Sequence, residues 1–253
     1  MMELKQLVGY LDSYLQISSF QDDAANGLQV ENSELVEKIG VAVDACHEAI
    51  LKAAEERCSM LIVHHGLFWG RQELIVDHIF QRVRSLIMAD IALYAAHLPL
   101  DAHPVVGHNV IIANRIGIID RQSCANYHGT MIGVMGRLPQ AMNLKDAAEV
   151  VTNAIGACRD LIAFGSEMIR TVAIVAGSAT DAGLFKELKK LGIDLLITGE
   201  ARHGAYHLAQ EFGLNIFYGG HYRTEAIGMQ ALAQHLQDTF SLPAVFIDAP
   251  SIF

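Results

Sequence analysis

Apolar positions alternate along the chain between two patterns. Stretches with helical spacing are separated by short, dense runs of β-branched and large apolar residues. Near the start, Leu4, Leu7, Val8, Leu11, Tyr14 and Leu15 recur at the spacing of one helix face and predict an amphipathic helix over residues 3–16. An Asn26-Gly27 turn signal precedes a short strand over Leu28–Val30. Ile39–Asp44 then reads as a strand, His47–Arg57 as a helix, and Leu61-Ile62-Val63-His64 as a second strand. A helical crossover of this kind implies parallel strands. A helix over Asp77–Ala89 presents Ile79, Phe80, Val83, Leu86 and Ile87 on one face. A strand over Asp90–Ala96, a loop over His97–Pro104 and a helix over Asn109–Ile116 follow. The middle of the chain offers a strand at Met131–Gly136 and a helix at Leu144–Ile155.

From Thr171 the earlier order returns. Strand Val172–Gly177, helix Asp181–Leu191, strand Leu195–Glu200, helix His203–Phe212 and strand Ile216–His221 come in turn. A helix over Glu225–Phe240 has Thr224 as its N-cap, and Ala244–Asp248 closes the sheet. Ile39-Gly40-Val41-Ala42-Val43 answers Val172-Ala173-Ile174-Val175, and Leu93-Tyr94-Ala95-Ala96-His97 answers Phe217-Tyr218-Gly219-Gly220-His221. The expected fold class is α/β, as two similar lobes from a degenerate internal repeat, residues 1–125 and 126–253, in one compact unit without an inserted domain. Ligands of open α/β sheets bind outside the carboxyl ends of the strands, so the expected site is a cleft between the lobes.

Composition narrows the function. The chain has 253 residues, 52% of them apolar, and only five prolines, which suits a compact globule. Mean hydropathy is positive. No apolar run approaches the roughly 18 residues of a spanning helix, and Met1-Met2-Glu3-Leu4-Lys5 lacks the pattern of a secretory signal, so a cytoplasmic location is expected. Cys46, Cys58, Cys124 and Cys158 form no CxxC pair and read as reduced, small buried hydrophobes. A formal charge of −10 without a Lys/Arg cluster argues against nucleic acid as a partner.

The candidate chemistry lies where the strands end. His64 and His65 close a buried run, and in regular β geometry neighbouring side chains point to opposite faces. Such a pair suits two metals side by side better than one metal chelated twice. Four positions beyond His97 and His221 stand acids, Asp101 and Glu225. Taken singly, Glu225 reads as an acid at a helix N-terminus and Asp101 as a loop cap. Their matched positions after paired histidines make both candidate ligands. Imidazoles with carboxylates suit zinc, iron, manganese or nickel, and His64, His65, Asp101, His221 and Glu225 are about the right number for two ions. His97 is a support behind the ligands, and His103 and His108 are loop residues. Glu200 and His203, after the strand that answers the His64 strand, are candidate proton-transfer groups.

At Ala25-Asn26-Gly27-Leu28-Gln29, Val63-His64-His65-Gly66, His97-Leu98-Pro99-Leu100-Asp101-Ala102-His103 and Gly220-His221-Tyr222-Arg223-Thr224-Glu225 the sequence resembles the NGG-interacting-factor-like family. These are the dinuclear metal-centre hexameric proteins, also labelled GTP cyclohydrolase I type 2 homologues. The resemblance implies a two-lobed α/β fold, a pair of divalent metals in the interlobe cleft and a ring-like homohexamer. It also implies that His64 and Asp101 hold one metal, that His65 and His221 serve the other, and that Glu225 bridges. The stretch between Asp120 and Thr171 is too short for the domain that longer members insert there. The expected function is a metal-dependent hydrolase acting on a nucleotide-like or other small molecule. The alternative is a metal-binding ring that serves as scaffold or regulator without turnover. No P-loop is present for a triphosphate, which leaves the metals, Arg202 and Arg223 to hold phosphate.

Overall fold

The computed structural model describes residues 1–70, 73–156 and 158–252. In chain order the elements begin Met2–Glu3 (β1), Leu4–Tyr14 (α1), Gly27–Val30 (β2), Leu35–Val36 (β3), Ile39–Asp44 (β4), His47–Glu55 (α2) and Met60–His65 (β5). Then come Asp77–Met88 (α3), Ala92–Ala95 (β6), Leu98–Asp101 (α4), His108–Arg115 (α5), Ile119–Tyr127 (β7), Thr130–Asn143 (β8) and Leu144–Ile155 (α6). The remainder is Asp160–Ala163 (β9), Met168–Val175 (β10), Ala182–Lys190 (α7), Leu195–Thr198 (β11), Ala205–Phe212 (α8), Asn215–Tyr218 (β12), His221–Phe240 (α9) and Ala244–Phe246 (β13). The class is α/β. The chain divides into two compact units, Met1–Val106 with Gly228–Ala249, and a second centred on Gly107–Ile227.

In the first unit a five-stranded sheet runs in the order β13-β4-β5-β6-β2. β13, β4, β5 and β6 are parallel neighbours and β2 is antiparallel to β6. Alternation along β5 and β6 separates two faces. Leu61, Val63, Leu93 and Ala95 pack against Ile50 and Ala53 of α2 and Ile79, Val83 and Leu86 of α3. Tyr94, on the opposite face, hydrogen-bonds through its hydroxyl to Asp12 of α1 at 2.8 Å. Burial on both faces explains why these strands read as unbroken apolar runs.

The second unit carries a six-stranded sheet, β7-β8-β10-β11-β12-β9, whose β10, β11 and β12 are parallel. Val172, Ile174, Leu195, Ile197 and Phe217 face α5 and α6, while Ala173, Val175, Leu196, Ile216 and Tyr218 face α7 and α8. Asn143 caps α6 by accepting from the Asp146 amide, and Asp181 caps α7 by accepting from Gly183 and Leu184.

Several sequence expectations are corrected. β7 and β9 lie outside the predicted elements because their residues are mostly exposed and show no apolar alternation. β8 extends well past Met131–Gly136, pairing with β7 across a two-residue turn in which His128 and Gly129 both take positive φ, the geometry of a type I′ hairpin. The loop at His97–Pro104 contains the helical turn α4, with Asp101 inside it. α9 starts at His221 rather than Glu225, so Thr224 is not its N-cap. The Thr224 hydroxyl bonds the Gly220 carbonyl one turn back instead. His103 lies in a loop as expected, whereas His108 belongs to a helix. His103 is buried, its Nδ1 accepting from the Val105 and Val106 amides, and His108 opens α5 fully buried. All four cysteines are free, Cys58 and Cys124 being buried, but Cys158 is exposed and Cys46 is half-buried as the cap of α2.

Candidate metal centre

In the first unit the carboxyl ends of β4, β5 and β6 lie side by side. Asp44 is in register with His65, and pairing of β5 with β6 stops at Val63 and Ala95. His64 and His65 are the last residues of β5, yet their ring centroids are only 4.6 Å apart. The reason lies in what holds each ring. His64 Nδ1 donates to the Ala96 carbonyl at 3.0 Å, and His65 Nδ1 donates to Asp44 Oδ1 at 2.9 Å. A carbonyl or carboxylate only accepts, so in both rings the proton sits on Nδ1 and the Nε2 lone pair is the one offered outward. Asp101, delivered by the α4 turn, places Oδ2 3.8 Å from His64 Nε2. Gly66 has no room for a side chain, because a Cβ there would run into the Gln29 amide and stand 2.7 Å from Ala95 Cβ. Gln29 fixes this corner by accepting from Leu67 N and donating to the Ala25 carbonyl, both at 2.7 Å.

The loop before β2 supports the same corner. Asp22 accepts from His97 Nδ1 at 3.0 and 3.1 Å, from Leu98 N and from Ala24 N, and Asn26 Oδ1 accepts from His97 N at 2.7 Å. Burial would raise the Asp22 carboxyl, but His97 together with the Ala24 and Asn26 donors outweighs it and holds the group at about 2. His97 is thereby held by Asp22 and Asn26 beside His64 and His65. Sequence reasoning misses Asp22, and with it Asp44, its counterpart behind His65. The only available signal is an acid ending the strand beside His65 and an acid inside the Asp22–Gly27 turn.

In the second unit His221 is the first residue of α9. Its Nδ1 is 3.1 Å from Glu200 Oε2 and its Nε2 2.9 Å from Glu225 Oε1, one turn on. Burial acts to lower this imidazole, yet the two carboxylates overcome it and raise it to about 9. Gly177 has φ +70, and a Cβ there would collide with Glu225 Oε1 and reach 3.2 Å from His221 Nε2. Its amide donates to the Thr224 hydroxyl at 3.1 Å, which ties the end of β10 to the first turn of α9. His203 stands elsewhere in this unit, on the wall of a cavity of about 540 Å³ that Arg202, Tyr206 and Tyr218 also line. The structure therefore groups His64, His65 and Asp101 in the first unit and Glu200, His221 and Glu225 in the second.

The family described as Duf34/NIF3 (NGG1p interacting factor 3) matches residues 2–251. The chain belongs to it. Within the NIF3 family it is 41% identical to a "GTP cyclohydrolase 1 type 2 homolog" of Archaeoglobus fulgidus, with 99% of each chain covered. A protein of the same name from Deinococcus radiodurans is 39% identical, covering 97% of this chain and 93% of that one. Protein TTHA1606 from Thermus thermophilus, a solved structure, is similar with a TM-score of 0.90 and 43% identity over the full length of both chains. The donor chemistry of this NIF3 chain fits a metal. Imidazoles whose Nδ1 is held by an acceptor stand beside carboxylates, and His64, His65 and His97 each bring one donor atom within 4.8 Å of the others. No helix among the described residues is long and apolar enough to cross a membrane.

Proposed function

We propose that the chain takes up two divalent ions through His64, His65, Asp101, His221 and Glu225, and uses them to hydrolyse a nucleotide-like or other small molecule. The supporting observation is the commitment of Nδ1 in every imidazole of this set: His64 to Ala96, His65 to Asp44 and His221 to Glu200. With Nδ1 so held, Nε2 is the nitrogen each ring would offer a metal, His221 Nε2 exchanging its Glu225 partner for the ion, and zinc, iron, manganese or nickel suits such donors. When bound, a pair of such ions lowers the pKa of a water and polarises a carbonyl or phosphoryl oxygen. The residues do the rest. Nε2 of His221 and Glu225 share a proton in the metal-free chain and release it on uptake. Glu200 keeps the Nδ1 proton of His221 and orients the ring. With its carboxylate partly exposed, Glu200 also handles protons, as His203 does from the cavity wall. Arg202 beside it offers a cation to a phosphate, in keeping with the nucleotide in the relatives' name.

Leu74, Ile75 and Val76, with Ile87 and Met88 of α3, leave large apolar side chains exposed on the first unit. Exposed apolar side chains favour assembly where they gather, and the proposed assembly is a homohexamer. It also keeps open the reading of a metal-binding ring that acts as scaffold or regulator. Elemental analysis of protein purified without chelator tests the metal reading. About two transition-metal ions per chain, reduced in His65→Ala and Glu225→Ala, is the expected result. No ion in the purified protein and none taken up on titration would overturn it. Hydrolysis of nucleotides, phosphoesters or cyclic amides by the loaded protein, lost in Glu200→Gln, would favour the enzyme over the scaffold. Light scattering reads the assembly directly, and a monomer would count against the ring.

A further inference from the structure

Leu93-Tyr94-Ala95 answers Phe217-Tyr218-Gly219 in sequence, and both tyrosines are buried near the carboxyl end of a parallel strand. Their hydroxyls fare differently. That of Tyr94 donates to Asp12 at 2.8 Å, whereas that of Tyr218, a residue 1% exposed, has no hydrogen-bond partner among the described residues. An unpaired buried hydroxyl opposes folding, and a phenylalanine would pack there without that cost.

Tyr218 lines the cavity of about 540 Å³ in the second unit, with Asp160 and Ile162 of β9, Arg202 of the loop after β11 and Tyr206 of α8. That volume is of the size that takes small molecules. β9 is an edge strand, and Asp160 is the register partner of Tyr218, so an acceptor and a donor share one face. Burial and the Asp160 carboxylate push the phenol up to about 12, which keeps it a donor at neutral pH. Tyr206, half exposed, stands edge-on to Phe164 with centroids 5.2 Å apart and gives the cavity an aromatic wall. Arg202 supplies a planar guanidinium suited to phosphate. We propose that this cavity seats a planar nitrogen heterocycle carrying a phosphate, the Tyr218 hydroxyl donating to the ring edge, Asp160 accepting its N–H, and Arg202 holding the phosphate. A carbocyclic ring would leave Tyr218 and Asp160 without partners, whereas a nitrogen heterocycle presents an acceptor beside an N–H.

The inference rests on the reading of a nucleotide-like substrate given above and deepens it by naming the seat of the ring. Seating the ring needs no metal. Full-length protein, as purified and after chelation, is titrated calorimetrically with uridine and adenosine monophosphates, ribose phosphate and phenyl phosphate. At least one nucleoside monophosphate is expected to bind in both states, about tenfold or more tighter than ribose phosphate or phenyl phosphate. Tyr218→Phe is expected to weaken that nucleotide about 5- to 10-fold while leaving phenyl phosphate unchanged and the melting temperature no lower. Arg202→Gln is expected to weaken the nucleotide and phenyl phosphate alike by about tenfold, with Arg202→Lys between. Nucleotides bound no tighter than ribose phosphate, or folded Tyr218→Phe and Arg202→Gln proteins with wild-type affinity, would overturn the inference. Binding abolished by chelation and untouched by both variants would also overturn it, placing the ligand on the metals and leaving the proposed function intact. Binding kept after chelation and weakened in both variants, with no hydrolysis by the metal-loaded protein, would uphold the seat and overturn the enzyme reading.

Discussion

A histidine near a strand end becomes a dependable ligand only when its second nitrogen is spoken for. Asp44, Asp22, Glu200 and the Ala96 carbonyl do this for four rings, and an aspartate behind a histidine also makes the ring more basic toward a metal. Asp44→Asn is accordingly expected to keep the fold and weaken metal affinity by about tenfold, read by competition with a chromophoric chelator. Unchanged affinity would show that Asp44 is no more than a surface partner. Glycine matters at one position for a different reason. Gly177→Ala places a Cβ at positive φ and against Glu225, so a loss of more than about 1 kcal/mol in denaturant unfolding is expected, together with weaker metal binding. The thiols differ by environment. Burial pushes Cys58 up to about 11 and Cys124 up to about 12, whereas Cys158 is exposed. A thiol reagent near neutral pH is expected to modify Cys158 in the native protein and to reach Cys58 and Cys124 only on unfolding, as peptide mapping would reveal.

Strands and helices carry the site by ending where they do. β5 is buried on both faces along Met60–Val63, so its apolar run could be recognised without knowing its neighbours. Leu61 is fully buried between α2 and α3, and Leu61→Ala is expected to cost about 2–5 kcal/mol, measured by urea unfolding. A cost below about 1 kcal/mol would mean the first unit repacks freely. α6 and α7 lie where the sequence places helices, and the structure adds the side chains that start them, Asn143 and Asp181. α9 was misplaced at its start. Thr224 resembles an N-cap, yet its hydroxyl turns back to Gly220, and the helix gains its first turn from His221 onward. That extra turn puts His221 and Glu225 on one face at 2.9 Å. The α4 turn does the same for His97 and Asp101, closed by the Asp101 amide to the His97 carbonyl at 3.2 Å.

At the scale of the whole molecule, stability answers to pH and to metal. His235 on α9 hydrogen-bonds Tyr10 at 2.6 Å and stacks on Tyr14 at 4.2 Å. Burial lowers it from its ordinary value, against a small opposing pull from Asp238, and burial lowers His103 beside Tyr14 likewise. The unfolded chain then binds more protons than the folded one below about pH 6.5, so these groups cost stability as pH falls through that range and nothing above it. The melting temperature is expected to drop between about pH 7 and about pH 5, and His235→Gln is expected to flatten the drop. An equal slope in the variant would remove His235 from the account. Chelator treatment is expected to lower the melting temperature and zinc to restore it, because an ion that binds only the folded state stabilises it by mass action.

The sequence by itself determined the α/β class, most of the buried strands and helices, and the residues able to ligate a metal. Those features are local: a run of apolar residues, a capping side chain, or a histidine at the end of a strand carries its meaning in a few neighbouring positions. The tertiary structure decided what depends on partners far along the chain. Strand β13 enters the sheet beside β4, some two hundred residues earlier, by pairing Ala244 with Ile39. The exposed strands β7 and β9 exist because β8 and β12 offer them open edges. Asp22 meets His97, and Asp44 meets His65, only after strands and loops have been laid side by side. A hydrogen bond that fixes a tautomer leaves no periodicity in the sequence, so candidate ligands could be named there and the groups that aim them could not.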